Sequence, residues 1–478
     1  MASLSPARIA AADVLSRVRR RNARARDLLR VSAPVARLTP ADRALATRFT
    51  LGAVRASGAI DALLDAHLRR SHLEPRMRDA LRISALELLW LATPVPVALS
   101  QGVELVRRVS PRGAGLANAV LHRVAEEDVP ALAQARKRVE SGSCTTSDIA
   151  LVAALPAWLA GELVVSLGIE SACHMALSAM EAPGAYVAGN ACLHDDDEAE
   201  RLLSAAGLIP RATCLPGCLT LFSAAGLAKS GLVDAADVVP ADMAAQVVAW
   251  LASPAPSTRM LEVGQGRGTK SLLLECCAQR RGGLAQLSAV ELEAFKVAVS
   301  RARMERAGLG AFVTCTAFDG CRLGEQDLPQ EIAGSFDSVL VDAPCSGTGT
   351  LRRHPEIAWS LQESAVHVEG RSLPELQLAM FQAASERVGA GGTLAYATCS
   401  ELREEDESIV AAFLASPKGA RFSLVSPRVT PAFAALPPEA QGLVATMIGD
   451  DGMLRTSRAD SADLPLDGHF LALLMCAV

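Results

Sequence analysis

From about residue 236 onward the chain repeats one unit: a short apolar strand, a Gly-rich turn and a helix. This alternation restricts the fold more than any other feature of the sequence. Strands joined through helices pair in parallel, and a parallel sheet needs helices on both faces. Arg259-Met260-Leu261-Glu262-Val263 reads as the first strand, Gly264-Gln265-Gly266-Arg267-Gly268 as its turn, and Ser271-Leu272-Leu273-Leu274 as the start of its helix. Further strands are predicted at Ser288-Ala289-Val290-Glu291, Phe312-Val313-Thr314-Cys315, Ser338-Val339-Leu340-Val341-Asp342 and Thr393-Leu394-Ala395-Tyr396-Ala397. Sheets of this kind bind ligands outside the carboxyl ends of their strands.

The front of the chain follows a different period. Over residues 7–139 apolar residues recur at helical spacing, as in Ala10, Val14, Leu15 and Val18. Thr39-Pro40-Ala41-Asp42 starts a helix, and Thr93-Pro94-Val95-Pro96 and Ser110-Pro111-Arg112-Gly113 are breaks. An all-α bundle is expected. Residues 1–140 carry 24 Lys and Arg against 13 Asp and Glu, and the remainder 23 against 39, so the net charge of −5 hides a basic front. A basic domain suits a polyanionic partner. A solvated Arg-rich surface explains the same counts. Residues 141–235 lack Lys and Arg until Arg201 and contain Tyr186-Val187-Ala188 and an acidic helix near 195–206, which reads as a small α/β module.

A chain of 478 residues is expected to form two or three domains. Its 12 cysteines have no disulfide framework and are expected to be reduced. Cys214 and Cys218 lack a second ligand pair, so no metal is expected. No apolar run approaches the roughly 20 residues of a membrane helix, and the N-terminus lacks a signal-peptide pattern. A cytoplasmic location is the expectation.

The candidate site residues stand at strand exits. The 264–268 turn lets the backbone approach a ligand, and the next helix start offers unpaired N–H groups. Dinucleotide enzymes, methyltransferases and purely structural turns all use such a loop. Glu291 can accept from both hydroxyls of a ribose, and Asp319 from an adenine amino group. Asp342-Ala343-Pro344-Cys345-Ser346-Gly347-Thr348-Gly349 and Ala397-Thr398-Cys399-Ser400 each put a cysteine just beyond a strand. Two thiols and a carboxylate are thus expected to converge where the ligand binds. A packing cysteine lies more often inside an element than at its exit.

Those two segments resemble the Sun/Fmu (RsmB-like) family of bacterial 16S ribosomal RNA cytosine-5 methyltransferases. The likeness runs from Phe336 to Gly349, through Arg352-Arg353-His354-Pro355 to Trp359, and recurs at 371–376, 396–400 and Asp467-Gly468-His469-Phe470. At the front, Asp42-Arg43-Ala44-Leu45-Ala46-Thr47 and Asn118-Ala119-Val120-Leu121 resemble the family's NusB-like RNA-binding domain. The resemblance implies an α/β fold. A Rossmann-like class I methyltransferase core with a mostly parallel seven-stranded sheet occupies 236–478. An all-helical NusB-like domain over 1–140 and a small α/β connector over 141–235 precede it.

The resemblance further implies S-adenosylmethionine as cofactor and 16S rRNA of the small subunit as partner; a monomer is the expectation, although the sequence does not fix the oligomeric state. Cofactor binding falls on Gly264, Gln265, Gly266, Arg267, Gly268, Thr269 and Lys270, with Glu291, Asp319 and Asp342. Cytosine C5 becomes nucleophilic only once a thiolate has added at C6, which calls for a nucleophile, an acid near N3 and help with release. Cys399, Asp342 and Cys345 take those roles in turn. The chain departs from the family in four places, one of them His469, where the family usually has Phe. The loop reads Gly-Gln-Gly-Arg-Gly-Thr-Lys where the family has Cys-Ala-Ala-Pro-Gly-Gly-Lys; Glu291 replaces an Asp; and Ala188 replaces an Arg, which shifts phosphate binding toward the first domain. Two rivals remain open: an RNA-binding assembly factor that has lost catalysis, and a DNA cytosine methyltransferase attacking through Cys345.

Overall fold

The computed structural model describes residues 4–21, 23–68, 73–91 and 93–478. The chain divides into two compact units, Met1–Ala182 with Leu351–Glu363, and Pro183–Thr350 with Ser364–Val478. Among the described residues no single helix is long and apolar enough to cross a membrane.

The first unit is helical throughout. Helices Pro6–Arg21, Pro40–Arg55, Pro75–Leu89 and Val95–Val109 pack through Ala11, Val14, Phe49, Leu81, Leu86 and Leu105. Buried Arg8 pairs with buried Glu87, which satisfies both charges inside the bundle. The helices do not stop at 140. Val129–Glu140 is followed by Thr146–Ala153, Ala157–Leu167 and Ile169–Ser178, the first of these opened by a capping box of Thr145 and Asp148. The break between units therefore falls at Ala182, inside the stretch expected as one connector. The short segment Leu351–Glu363 belongs to this unit although it lies between two strands of the other.

The second unit holds two sheets. Strands β1 (Tyr186–Gly189), β2 (Pro210–Ala212), β3 (Cys218–Leu221) and β4 (Val238–Pro240) form a small antiparallel sheet in the order β2-β3-β1-β4. The large sheet contains β5 (Arg259–Val263), β6 (Gln286–Glu291), β7 (Val313–Ala317), β8 (Phe336–Asp342), β9 (Val388–Thr398), β10 (Phe422–Val425), β11 (Leu454–Arg455) and β12 (Phe470–Cys476). Its path is β10-β12-β9-β8-β5-β6-β7, seven strands as expected, with two-residue β11 attached to β12. Strands β9, β8, β5, β6 and β7 are mutually parallel, and β12 runs antiparallel to β9.

Alternation along the central strands feeds two cores. Met260, Leu340 and Ala395 face one apolar layer with helices Met243–Ala252 and Thr269–Arg280; Leu261, Val339, Val341 and Tyr396 face the other, which includes Phe381 and Phe413. The strand order reverses between β5 and β8. The crevice at that reversal, at the carboxyl ends, is where such sheets take ligands.

Candidate active site

The site is assembled from the exits of four neighbouring strands. Val263 of β5 lies in register with Val290 of β6 and Val341 of β8, and Asp342 with Ala397 of β9. The 264–270 loop, Glu291, the Asp342–Cys345 turn and Cys399 therefore leave the sheet side by side.

The loop is shaped by backbone. Gly264 has φ +89°, and a Cβ there would lie 2.2 Å from the carbonyl oxygen of Asp342, so only glycine lets β5 turn against the end of β8. Gly266 has φ +61° and open space where a Cβ would point. The loop side chains turn mostly away from that space. Gln265 is buried and donates to Ser271 Oγ at 2.9 Å and Cys315 Sγ at 3.2 Å. Thr269 Oγ1 and the carbonyl of Arg267 accept from Arg303. The departure at Glu291 is matched to this loop: Glu291 Oε2 accepts from Gly266 N at 2.9 Å, and Oε1 from Glu293 N at 3.1 Å and Lys296 Nζ at 3.2 Å. A carboxylate held by donors on both oxygens still has lone pairs for ribose hydroxyls. An open glycine cradle with an oriented acid at the next strand end fits a nucleoside such as that of S-adenosylmethionine. Asp319, beyond β7, accepts from Cys321 N at 2.9 Å and so caps its own turn.

The thiols meet on the other side of β8. Cys345 Sγ and Cys399 Sγ are 3.3 Å apart, and both residues are partly exposed. Hydrogen bonding to Cys399, then burial and the neighbouring Glu405, push the Cys345 thiol well up, so Cys345 keeps its proton. Lys270 Nζ lies 2.5 Å from Asp342 Oδ1. Burial opposes the Lys270 charge, but Asp342 and, more weakly, Cys399 outweigh it and raise its pKa.

Both cysteine turns are braced by a residue outside the expected set. Glu405, fully buried, accepts at Oε1 from Ser346 N and Gln377 Nε2, each at 2.9 Å, and at Oε2 from the hydroxyls of Ser346 and Ser400. Backbone bonds Ala343 N to Ala397 O and Gly349 N to Cys399 O, each 3.0 Å, join the same turns. Gly349 itself presses on Gly468, whose carbonyl oxygen would be 1.9 Å from an added Cβ. Sequence reasoning missed Glu405 because it stands in the run Glu404-Glu405-Asp406-Glu407, which reads as a solvated charged face.

With this geometry in place, comparison with known proteins identifies its kind. Residues 249–432 match the family model of the 16S rRNA methyltransferase RsmB/F, and residues 5–126 match the NusB family. The ribosomal RNA small subunit methyltransferase B of Xanthomonas campestris is 30% identical over 399 residues, covering 80% of this chain and 83% of that protein. The chain belongs to the RsmB/F family of 16S rRNA methyltransferases. The RsmB of Thermus thermophilus is 28% identical over 383 residues, 78% of this chain and 79% of its own length. The crystal structure of PH0851 shares the fold with a TM-score of 0.74 at 19% identity, covering 99% of both chains. RsmB/F proteins are methyltransferases that use S-adenosylmethionine, and the NusB domain with the Rossmann-like core is the architecture found here.

Proposed function

We propose that this RsmB/F methyltransferase modifies C5 of a cytosine in 16S rRNA, with Cys399 as nucleophile. The observation that carries this reading is the pair of thiols 3.3 Å apart at adjacent strand exits, beside the Lys270–Asp342 pair. A methyltransferase acting on oxygen or nitrogen has no use for two such thiols.

Residues 264–270 and Glu291 would hold the nucleoside of S-adenosylmethionine, which supplies an electrophilic methyl group when bound. The remaining chemistry belongs to the side chains. Cys399 Sγ forms a bond to C6 while the proton shared by Lys270 and Asp342 passes to N3, leaving C5 electron-rich. After methylation the C5 proton passes to solvent, its bonding electrons re-form the C5–C6 double bond, the C6–sulfur bond breaks with its electron pair returning to Cys399, and N3 gives its proton back to the Lys270–Asp342 pair. Cys345, which keeps its proton, donates it to the departing sulfur. Every residue in this reading comes from one chain, so a monomer suffices. The target base must be unstacked for the thiol to reach C6, which favours a single-stranded segment of rRNA.

The test is a denaturing gel of each Cys→Ala variant with rRNA and cofactor, read beside bisulfite sequencing. Cys345→Ala should accumulate a protein–RNA adduct, and Cys399→Ala should give neither adduct nor 5-methylcytosine. The reverse pattern would make Cys345 the attacking thiol, as in a DNA cytosine methyltransferase. Normal methylation by both variants would remove covalent catalysis, and no methylation by the unaltered protein would favour an assembly role.

A further inference from the structure

The helix that follows Glu291 leaves one face uncovered. Helix Ala294–Arg306 packs inward through Val297, Ser300 and Met304. Opposite them, Phe295, Val299 and Ala302 recur at helical spacing and are exposed, Phe295 at 57% and Val299 at 45%. Phe295 and Phe222 are the exposed phenylalanines among the described residues. One exposed apolar residue is ordinary, but three on one helix face form a patch.

The same face ends in positive charge. Arg303 and Arg306 lie in the last turn of the helix. Arg303 Nη1 reaches the loop, donating to the carbonyl of Arg267 at 3.2 Å and to Thr269 Oγ1 at 2.6 Å. Gly268 lets the helix come this close, since a Cβ there would strike Ser300. Arg267 therefore stands beside Arg303, and Arg306 is the helical neighbour of Arg303 three residues on. Burial first, then the charges of Arg306 and Arg267, lower the Arg303 pKa, and a guanidinium stays charged at neutral pH. The side chains of Arg267 and Arg306 are exposed and make no hydrogen bond or ion pair among the described residues. Glu305, the acid next to Arg306, lies against Gly310. A cation complements the carboxyl end of a helix, which accounts for Arg303 and Arg306 but not for Arg267 on the loop. The chain beyond residue 140 carries 23 Lys and Arg against 39 Asp and Glu, so three arginines without a carboxylate partner are not its ordinary surface.

We propose that this face, from Phe295 through Val299 and Ala302 to Arg267, Arg303 and Arg306, holds a single-stranded segment of RNA. The phosphates lie on the arginines and a base stacks on the Phe295 ring. Cations beside an aromatic platform suit a single strand, because every nucleotide has a phosphate and every base a face to stack. A duplex keeps its bases stacked inside and has no use for the ring. A second copy of this chain, docked face to face, would bring two sets of these arginines into one interface. The ligand class rests on 16S rRNA being the family's substrate. The helix follows β6, whereas the thiols leave β8 and β9 on the far side of β5, so the face grips the strand and not the reacting base.

The probes are an oligouridine and an RNA duplex of the same length. Phe295→Ala should weaken oligouridine binding about tenfold, the loss of one base stack, and leave its salt dependence as it was. Phe295→Tyr keeps the ring and should bind as the unaltered protein does. Arg306→Gln and Arg267→Gln should each weaken oligouridine binding and reduce its salt slope by about 0.7, the share of one single-strand phosphate. Duplex affinity should not respond to Phe295→Ala. Cofactor affinity of Phe295→Ala and Arg306→Gln serves as the control for an intact fold. Oligouridine affinity unchanged in both of those variants would overturn the site, as would an unaltered protein that binds no oligouridine. A Phe295→Ala protein that loses self-association in sedimentation but binds RNA normally would also overturn it and make the face a contact between copies. An unaltered protein that methylates no rRNA would instead defeat the functional reading, while the oligouridine affinities still decide this face.

Discussion

The two sides of the site are held in different ways. The loop at 264–270, proposed to hold the cofactor, is positioned largely by backbone geometry and by glycines at positive φ; Gln265 turns into the core and Thr269 toward Arg303, and Lys270 reaches Asp342. The cysteine turns are positioned by side chains, above all by Glu405 between Ser346 and Ser400. A ligand surface made of backbone tolerates new side chains. The pair of thiols proposed to react would not tolerate drift, because small displacements of reacting groups cost large factors in rate. That contrast leaves the loop open to other side chains and ties the cysteine turns to particular ones.

The strongest way to break this contrast is Glu405→Ala. It leaves the Ser346 amide, the Gln377 amide and two hydroxyls without their shared acceptor in a buried space. The expected result is a loss of about 100-fold in kcat, with smaller changes in KM for RNA and cofactor. Glu405→Gln, which keeps an acceptor oxygen, should recover part of the rate. Full activity in the Ala variant would mean that the two backbone bonds between the turns are sufficient and that side chains do not set the thiol spacing.

Next in size is the loop itself. Gly264→Ala would place a methyl group 2.2 Å from the Asp342 carbonyl oxygen at φ +89°. The left-handed backbone alone costs about 1–2 kcal/mol. Calorimetry should show cofactor binding weakened at least about tenfold, roughly that same energy. Arg267→Ala, which alters an exposed side chain and keeps the carbonyl used by Arg303, should bind nearly as the unaltered protein does. Equal losses in the two variants would show that loop side chains matter as much as its backbone.

Much of this was legible in the sequence for a physical reason. Strand, glycine turn and helix differ in period and composition, so the order of the large sheet and the exits carrying Glu291, Asp342, Cys345 and Cys399 can be read along the chain. What could not be read depends on contacts between distant residues. Glu405 is 59 positions from Ser346, and nothing local distinguishes its carboxylate from its acidic neighbours. Segment Leu351–Glu363 continues directly from the Cys345 turn in sequence, yet it packs with the helical unit through Trp359 and Arg55. The helices beyond residue 140 lost the basic character of the bundle, so a change in charge marked a boundary that packing does not follow.

The smallest expected effect concerns the floor beneath the loop. Glu262 is fully buried; its Oε2 accepts from Ser271 Oγ at 2.5 Å and its Oε1 has no partner. Burial, reinforced by Asp342 and Glu275 and opposed by the Ser271 bond and Lys270, pushes its carboxyl from 4.5 up to about 8. Between those values the folded protein holds a proton that the unfolded chain has released. Stability contributed by this group is therefore full below pH 4.5, falls as pH rises through the window, and is lost above about 8. Glu262→Gln stays neutral and carries no such dependence. Its melting temperature relative to the unaltered protein should be level at low pH, climb through the window and flatten beyond it. The difference between the two proteins isolates Glu262 from other buried acids such as Glu275, which both retain. A constant difference across the window would mean that Glu262 is charged and solvated in the folded state. The backbone loop would then rest on a wet, adaptable floor, and the contrast with the tightly braced cysteine turns would extend below the surface of the site.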